Sequence, residues 1–198
     1  MECYDVAIKL NPKDAVLYYN KGNAFYDLER YLEAIECYNK AIKLNPNYAI
    51  FYNNKGNAFK ILQRYLEAIE CYEEAIKLNP KDADLYNNKG DAFYDLERYL
   101  EAIECYDVAI KLHPKDADLY NNKGDAFYDL ERYLEAIECY DEAIKLNPNN
   151  AIFYNNKGNA FKILQRYLEA IECYDVAIKL NPKDADFYLW WSNQNQFK

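Results

Sequence analysis

The sequence predicts an all-α solenoid built from helix pairs, and three observations carry that prediction. Glycine stands at 22, 56, 90, 124 and 158, and proline at 12, 46, 80, 114, 148 and 182, with no other copy of either residue in the chain. Both series step by 34 residues, so all the strongest backbone punctuation belongs to one copied unit. Within each copy the apolar residues recur at the three- and four-residue spacing of a helix face, not at the alternation of a strand. Units of this size bury their apolar faces on their neighbours, so the array replaces the single core otherwise expected of 198 residues.

Residues 83–116 serve as the type unit. Asp82 precedes the first helix and is placed to cap its free amides. Tyr86, Gly90, Phe93 and Leu96 follow at helical spacing and form an inner stripe. A mid-helix glycine costs ~1 kcal/mol relative to alanine. Its recurrence implies that the absent side chain permits a close helix–helix approach. Glu97 and Arg98 make the turn. The second helix carries Ala102, Ile103, Tyr106, Ala109, Ile110 and Leu112 on its apolar side; Pro114 stops it, and Asp116 caps the next unit. Its outer face sets Asp107 four residues before Lys111, a favourable acid-to-base order repeated in Asp5–Lys9, Glu73–Lys77, Asp141–Lys145 and Asp175–Lys179. Most of the 22 tyrosines fall in columns at 18/52/86/120/154/188, 31/65/99/133/167 and 4/38/72/106/140/174, which read as packing positions.

The bulk properties remove several function classes. A net charge of −9 opposes nucleic acid and anionic membrane surfaces. No apolar run approaches the ~18–20 residues that span a bilayer, and Met1–Asp5 lacks the basic and apolar regions of a signal peptide. The six cysteines also step by 34 residues. Equivalent positions in stacked helices lie ~8–10 Å apart, beyond the ~7 Å reach of a disulfide between Cα atoms. They therefore read as small buried residues in a reducing cytoplasm. His113 occupies the place of Asn45, Asn79, Asn147 and Asn181 before the proline, and reads as a turn residue, not a base. No nucleophile triad, phosphate loop or zinc spacing occurs, so the expectation is a protein that is not an enzyme and has no cofactor or metal.

Tyr120, Gly124, Phe127, Ala136, Tyr140, Ala143 and Pro148, repeated in phase, resemble the tetratricopeptide repeat. Five full units fit, at 15–48, 49–82, 83–116, 117–150 and 151–184, with 1–14 matching a lone second helix and 185–198 a lone first helix. One departure is the residue before each glycine, often leucine in the family and lysine here at 21, 55, 89, 123 and 157. A lysine stem can cover apolar surface while its amine reaches water. The resemblance implies a right-handed superhelix of antiparallel helix pairs. Its first helices would line a concave groove that binds peptides or protein segments without catalysis.

First-helix residues off the packing stripe are then the candidate groove. They are Asp84, Asn87, Asn88, Asp91, Tyr94 and Asp95 in one unit, and Asp118, Asn121, Asn122, Asp125, Tyr128 and Asp129 in the next. Residues 49–82 offer Ile50, Asn53, Asn54, Asn57, Lys60 and Ile61, and 151–184 repeat these with Asn155, Asn159 and Lys162. Tyr19, Asn23 and Tyr26 are the candidates in 15–48. An asparagine column at 20, 54, 88, 122 and 156 has two readings: carboxamides that hold an extended peptide backbone, or a surface merely kept polar. The two middle units are acidic and carry tyrosines, so Asp91, Asp95, Asp125 and Asp129 are expected to favour Lys- or Arg-containing segments, with cation–π contact from the rings. The columns of Tyr19/Asn53 and Val16/Ile50/Asp84 contain no lysine or arginine, so the family's carboxylate clamp for a chaperone C-terminus is not expected.

Two further readings come from the chain ends. The lone helices at 1–14 and 185–198 are complementary and could join molecules head to tail into a self-assembling array. Alternatively the chain is a piece of a longer, possibly enzymatic, protein. Units 49–82 and 151–184 differ only at 73/74 against 175/176, as expected of recent duplication or deliberate construction.

Overall fold

Polar caps and prolines divide the chain into helices of nearly constant length. The computed structural model describes residues 2–182, and the chain divides into two compact units with the boundary in sequence between Cys105 and Tyr106. The first contains α1 (Glu2–Leu10), α2 (Ala15–Asp27), α3 (Tyr31–Leu44), α4 (Ala49–Ile61), α5 (Tyr65–Leu78), α6 (Ala83–Asp95) and the start of α7 (Tyr99–Leu112). There α2 pairs with α3 and α4 with α5, α3 packs on α4 and α5 on α6, and the first helices α2, α4 and α6 touch in succession. The second unit holds the rest of α7 with α8 (Ala117–Asp129), α9 (Tyr133–Leu146), α10 (Ala151–Ile163) and α11 (Tyr167–Leu180). In it α8 pairs with α9 and α10 with α11, while α9 and α8 both contact α10. All described elements are helices, an all-α solenoid of repeats.

The expected caps form. Asp82 and Asp116 accept hydrogen bonds from the backbone N–H of Asp84 (3.1 Å) and Asp118 (3.0 Å). Asp14 and Asn150 do the same for Val16 and Ile152. Tyr48 is the exception: it makes no side-chain cap, and its ring lies 5.1 Å from that of Phe51.

The mid-helix glycines admit a tyrosine from the paired helix. A Cβ on Gly22, Gly56 or Gly124 would lie 2.6 Å from Cε1 of Tyr38, Tyr72 or Tyr140, and one on Gly158 would lie 2.8 Å from that of Tyr174. These tyrosines, with Tyr106, are the deepest of the three columns. The core also contains columns the stripe did not include: Phe51, Leu85, Leu119 and Phe153, and the fully buried Ala58, Ala92, Ala126 and Ala160. Tyr86 and its copies are only half-buried, and Tyr86, Tyr120 and Tyr154 donate from their hydroxyls to the carbonyls of Pro80, Pro114 and Pro148. Tyr167 is exposed, whereas Tyr31, Tyr65, Tyr99 and Tyr133 are half-buried.

The turn within each pair is a left-handed helix cap made without glycine. Glu29, Gln63, Glu97, Glu131 and Gln165 all have φ between 57° and 59°. Glu131 N–H donates to the Tyr128 carbonyl and Arg132 N–H to that of Phe127, both at 2.9 Å, the paired bonds of a Schellman ending. Arg132 then covers the cap, its guanidinium 4.6 Å from the centre of the Phe127 ring and hydrogen-bonded to Glu135.

Two sequence expectations are corrected. None of the five acid–base pairs spaced four apart forms an ion pair among the described residues. The acids instead meet the lysines before the glycines, Asp5 with Lys21, Glu73 with Lys89, Asp107 with Lys123 and Asp141 with Lys157, at 2.5–2.8 Å. These lysines sit over Phe25, Phe93, Phe127 and Phe161 and are far less exposed than their acids, so the next helix offers the drier, stronger pairing. The ammonium ends of these four lysines therefore meet carboxylates. Cys37, Cys71, Cys105, Cys139 and Cys173 are buried free thiols as expected, but Cys3 is exposed because α1 packs on α2 alone. The expected first helix at 185–198, and Tyr188, lie outside the described residues.

Gly124→Ala is expected to lower the urea unfolding free energy by about 2 kcal/mol, because the clash with the buried Tyr140 ring outweighs alanine's helix propensity. Glu131→Gly, measured the same way, is expected to raise it by about 1 kcal/mol by relieving the left-handed backbone at a helix C-terminus.

Candidate binding face of the first helices

Four buried tyrosines of the second helices, Tyr38, Tyr72, Tyr140 and Tyr174, pass beside a glycine and present their hydroxyls at the first-helix face. Tyr38 donates to Asn23 Oδ1 at 2.8 Å, Tyr72 to Asn57 at 2.7 Å, Tyr140 to Asp125 at 2.8 Å and Tyr174 to Asn159 at 2.7 Å. The residue after each of these four glycines, assigned to the groove from sequence, is therefore also the acceptor that satisfies the core tyrosine.

The asparagine column ties one repeat to the next. In the first unit Asn54 Nδ2 donates to the Tyr19 hydroxyl (3.0 Å) and to Asn23 Oδ1 (3.1 Å), and Asn88 Nδ2 donates to Asn53 Oδ1 (3.0 Å). In the second, Asn156 Nδ2 donates to Asn121 Oδ1 and Asp125 Oδ1, both at 3.0 Å. Neither reading of this column from sequence included these ties. Their signal was present as an asparagine 35 residues after a tyrosine or asparagine and 31 after an asparagine or aspartate.

The carboxylates divide into two groups. Asp91 pairs with Lys60 at 3.0 Å. Asp125 has neutral partners in Tyr140, Asn121 and Asn156. Burial, with Asp129 nearby, pushes the Asp125 carboxyl up to about 6 although those hydrogen bonds oppose the shift. Asp84, Asp95, Asp118 and Asp129 are exposed, as are Ile50, Ile61, Ile152 and Ile163. Tyr26, Tyr94 and Tyr128 are half-buried and meet Tyr31, Tyr99 and Tyr133 edge-on at 5.3–5.4 Å. Burial, followed by the neighbouring tyrosine and aspartate, raises the Tyr26 and Tyr128 hydroxyls above the ordinary phenol value. Asn87, Asn122, Asp129 and Lys162 have internal contacts as well, and Asn155 is half-buried.

No group of three or more histidine, cysteine or acidic residues that could hold a metal occurs among the described residues. None of the described helices is long and apolar enough to cross a membrane.

The sequence profile described as TPR repeat matches residues 22–62, 56–96, 90–130, 124–165 and 158–191, and one described as Tetratricopeptide repeat matches 3–36. The chain belongs to the tetratricopeptide repeat family. This tetratricopeptide repeat protein is similar in fold to YrrB, described as a TPR protein with an unusual peptide-binding site, with a TM-score of 0.76 at 23% identity over 96% of this chain and 97% of the other. It is likewise similar to MamA from Desulfovibrio magneticus RS-1 (TM-score 0.80, 20% identity, 86% and 97% covered) and to PilF of Pseudomonas aeruginosa (TM-score 0.75, 20% identity, 89% and 80% covered). No curated protein gives a significant sequence match.

Because the Asp125 carboxyl titrates higher in the folded tetratricopeptide repeat protein than in the unfolded chain, its favourable contribution is complete below about pH 4 and lost as pH rises through about 6. Asp125→Asn copies the Asn53/Asn57 arrangement and is expected to add about 2 kcal/mol to unfolding free energy at pH 7. Paired urea titrations should show that gain shrinking towards zero at pH 4.

Proposed function

We propose that the first-helix face binds an extended segment of another protein, making this chain a non-catalytic interaction scaffold. The family is one of protein-interaction scaffolds, and the peptide-binding site named for YrrB belongs to a neighbour of the same fold. The observation that carries the reading is the face itself. Asparagines and tyrosines are fixed in register by bonds between repeats, so a ligand meets a surface already ordered. Exposed isoleucines and aspartates stand beside them as contacts of two chemistries.

Within this proposal, the expected preference for basic segments narrows. Asp91 is neutralised by Lys60, and Asp125 is enclosed by hydrogen-bond donors, which leaves Asp95 and Asp129 as the exposed members of that set. A cytoplasmic setting accords with the five buried thiols, of which those at 71, 105, 139 and 173 are pushed up to about 11 by burial and kept unreactive. The head-to-tail array depends on residues 185–198, outside the described residues, and no observation favours it.

Panning a random-peptide phage library against the whole chain, then measuring hits by fluorescence anisotropy, tests the proposal. Ile50→Lys/Ile61→Lys or Asp118→Lys/Asp129→Lys is expected to weaken the selected peptides at least tenfold, while Glu70→Lys/Glu104→Lys on the second helices leaves them unchanged. Peptides that respond only to the second-helix changes would place binding elsewhere and overturn it.

A further inference from the structure

A cavity of ≈330 Å³ opens between α2 and α4, lined by Asn23, Tyr26, Asp27, Tyr38, Asn54 and Asn57. Its size lies at the lower end of the ~300–1,000 Å³ of small-molecule sites. Four of the lining groups are already held in place: Tyr38 and Asn54 both donate to Asn23, and Asn57 accepts from Tyr72. Asp27 is different. It is exposed and has no hydrogen bond or ion pair among the described residues.

The next repeat shows what this position accommodates. One period on, the same six places are held by Asn57, Lys60, Ile61, Tyr72, Asn88 and Asp91. There the chain's own Lys60 crosses from α4 towards α6 and places its ammonium 3.0 Å from Asp91. Between α2 and α4 that lysine is replaced by Tyr26 and its acceptor by Asn57, while the isoleucine beside it becomes Asp27. The repeat has thus lost its internal cation and gained a carboxylate and a phenol at the mouth of the cavity. Burial raises the hydroxyls of both Tyr26 and Tyr38, with smaller contributions from neighbouring tyrosines (Tyr31 for Tyr26, Tyr19 for Tyr38) and then from Asp27.

We propose that this cavity is a specificity pocket for the side chain of an arginine in the bound segment. The inference rests on the reading of the first-helix face as a segment-binding surface and names what one part of it selects. A guanidinium satisfies the lining better than a neutral side chain: its planar fork matches the Asp27 carboxylate and its face lies well on a phenol ring. Asn23 and Asn57, whose amide N–H groups donate to no acceptor among the described residues, are left to donate to the segment's backbone carbonyls.

The test uses the full chain, nitrogen-15 labelled, titrated with acetyl-Gly-Arg-Gly-amide and with the same peptide carrying citrulline, the neutral isostere. The arginine probe is expected to shift the side-chain amides of Asn23, Asn54 and Asn57 saturably, and the citrulline probe to bind at least tenfold more weakly. Asp27→Asn, which removes a negative charge from a helix C-terminus and so keeps the fold, is expected to weaken the arginine probe at least tenfold. Tyr26→Lys/Asn57→Asp, which copies the Lys60–Asp91 pair, is expected to fill the pocket and abolish the shifts. Equal binding of the two probes, or an unaltered response in Asp27→Asn, overturns the proposal. The library selection separates the two readings. Peptides that bind the face while the arginine probe does not leave the face standing and remove the pocket. An arginine probe that binds Asn23, Asn54 and Asn57 when no peptide is selected keeps the pocket and removes the face.

Discussion

The contact between a second-helix tyrosine ring and a first-helix glycine governs this structure. The ring occupies the volume a glycine Cβ would need, so the two helices meet at a distance no other residue allows. The price is a phenol hydroxyl carried through the core, which must find an acceptor where it emerges. It emerges on the first-helix face, at the residue following the glycine. Core packing and the binding face are therefore joined at one column, and a change in that column is felt on both sides.

That coupling limits what the face can become. The column holds Asn23, Asn57, Asp91, Asp125 and Asn159, all side chains with an acceptor oxygen at the same reach. Asparagine satisfies the hydroxyl without charge. Aspartate does so only with a second adjustment, since a carboxylate held among neutral donors is disfavoured in its charged form. For Asp91 the adjustment is Lys60, brought from the preceding repeat. Asp125 has only neutral hydrogen-bond partners in Tyr140, Asn121 and Asn156, and burial pushes its carboxyl up to about 6. Variation along the face is thus correlated between neighbours: the residue four after a glycine must suit the residue one after the next glycine.

Much of this was legible in the sequence. The 34-residue step of glycine and proline gives the helices, their caps and their pairing, because backbone punctuation and apolar periodicity are local properties. The first-helix face was also legible, as the residues left off the packing stripe. What was not legible were the partners across repeats. Lys21, Lys89, Lys123 and Lys157 look solvated when each helix is taken alone, and their acids appear to have nearer lysines four residues on. Only stacking places them 2.5–2.8 Å from an acid 16 residues earlier. Asn54, Asn88 and Asn156 likewise look free until the preceding repeat stands beside them. The deeper column of Phe51, Leu85, Leu119 and Phe153 was hidden for a related reason: an adjacent tyrosine column is as periodic and as apolar, and only packing shows which is buried.

The ties between repeats also show how such an array tolerates a poor junction. Cohesion in a solenoid is a sum over neighbours, so each junction must hold by its own contacts. Within the first unit, the junction of α3 with α4 lacks two polar devices used elsewhere. Asn39 stands where its copies are acidic, so Lys55 has no ion pair among the described residues, and Tyr48 replaces the capping aspartate of α4. In α4 itself, however, Phe51, 2% exposed, has the ring of Tyr19 from α2 at 5.0 Å and that of the N-cap residue Tyr48 at 5.1 Å. A surface ion pair contributes ~0.2–1 kcal/mol and a cap ~1 kcal/mol, while aromatic pairs add ~0.5–1.5 kcal/mol each beyond their buried area. The exchange is close to even, so α4 is held through Phe51 by rings, one of them from α2, where other first helices rely on charge and caps. Tyr19 also accepts from Asn54 through its hydroxyl, so this aromatic cluster is continuous with the asparagine ties of the binding face.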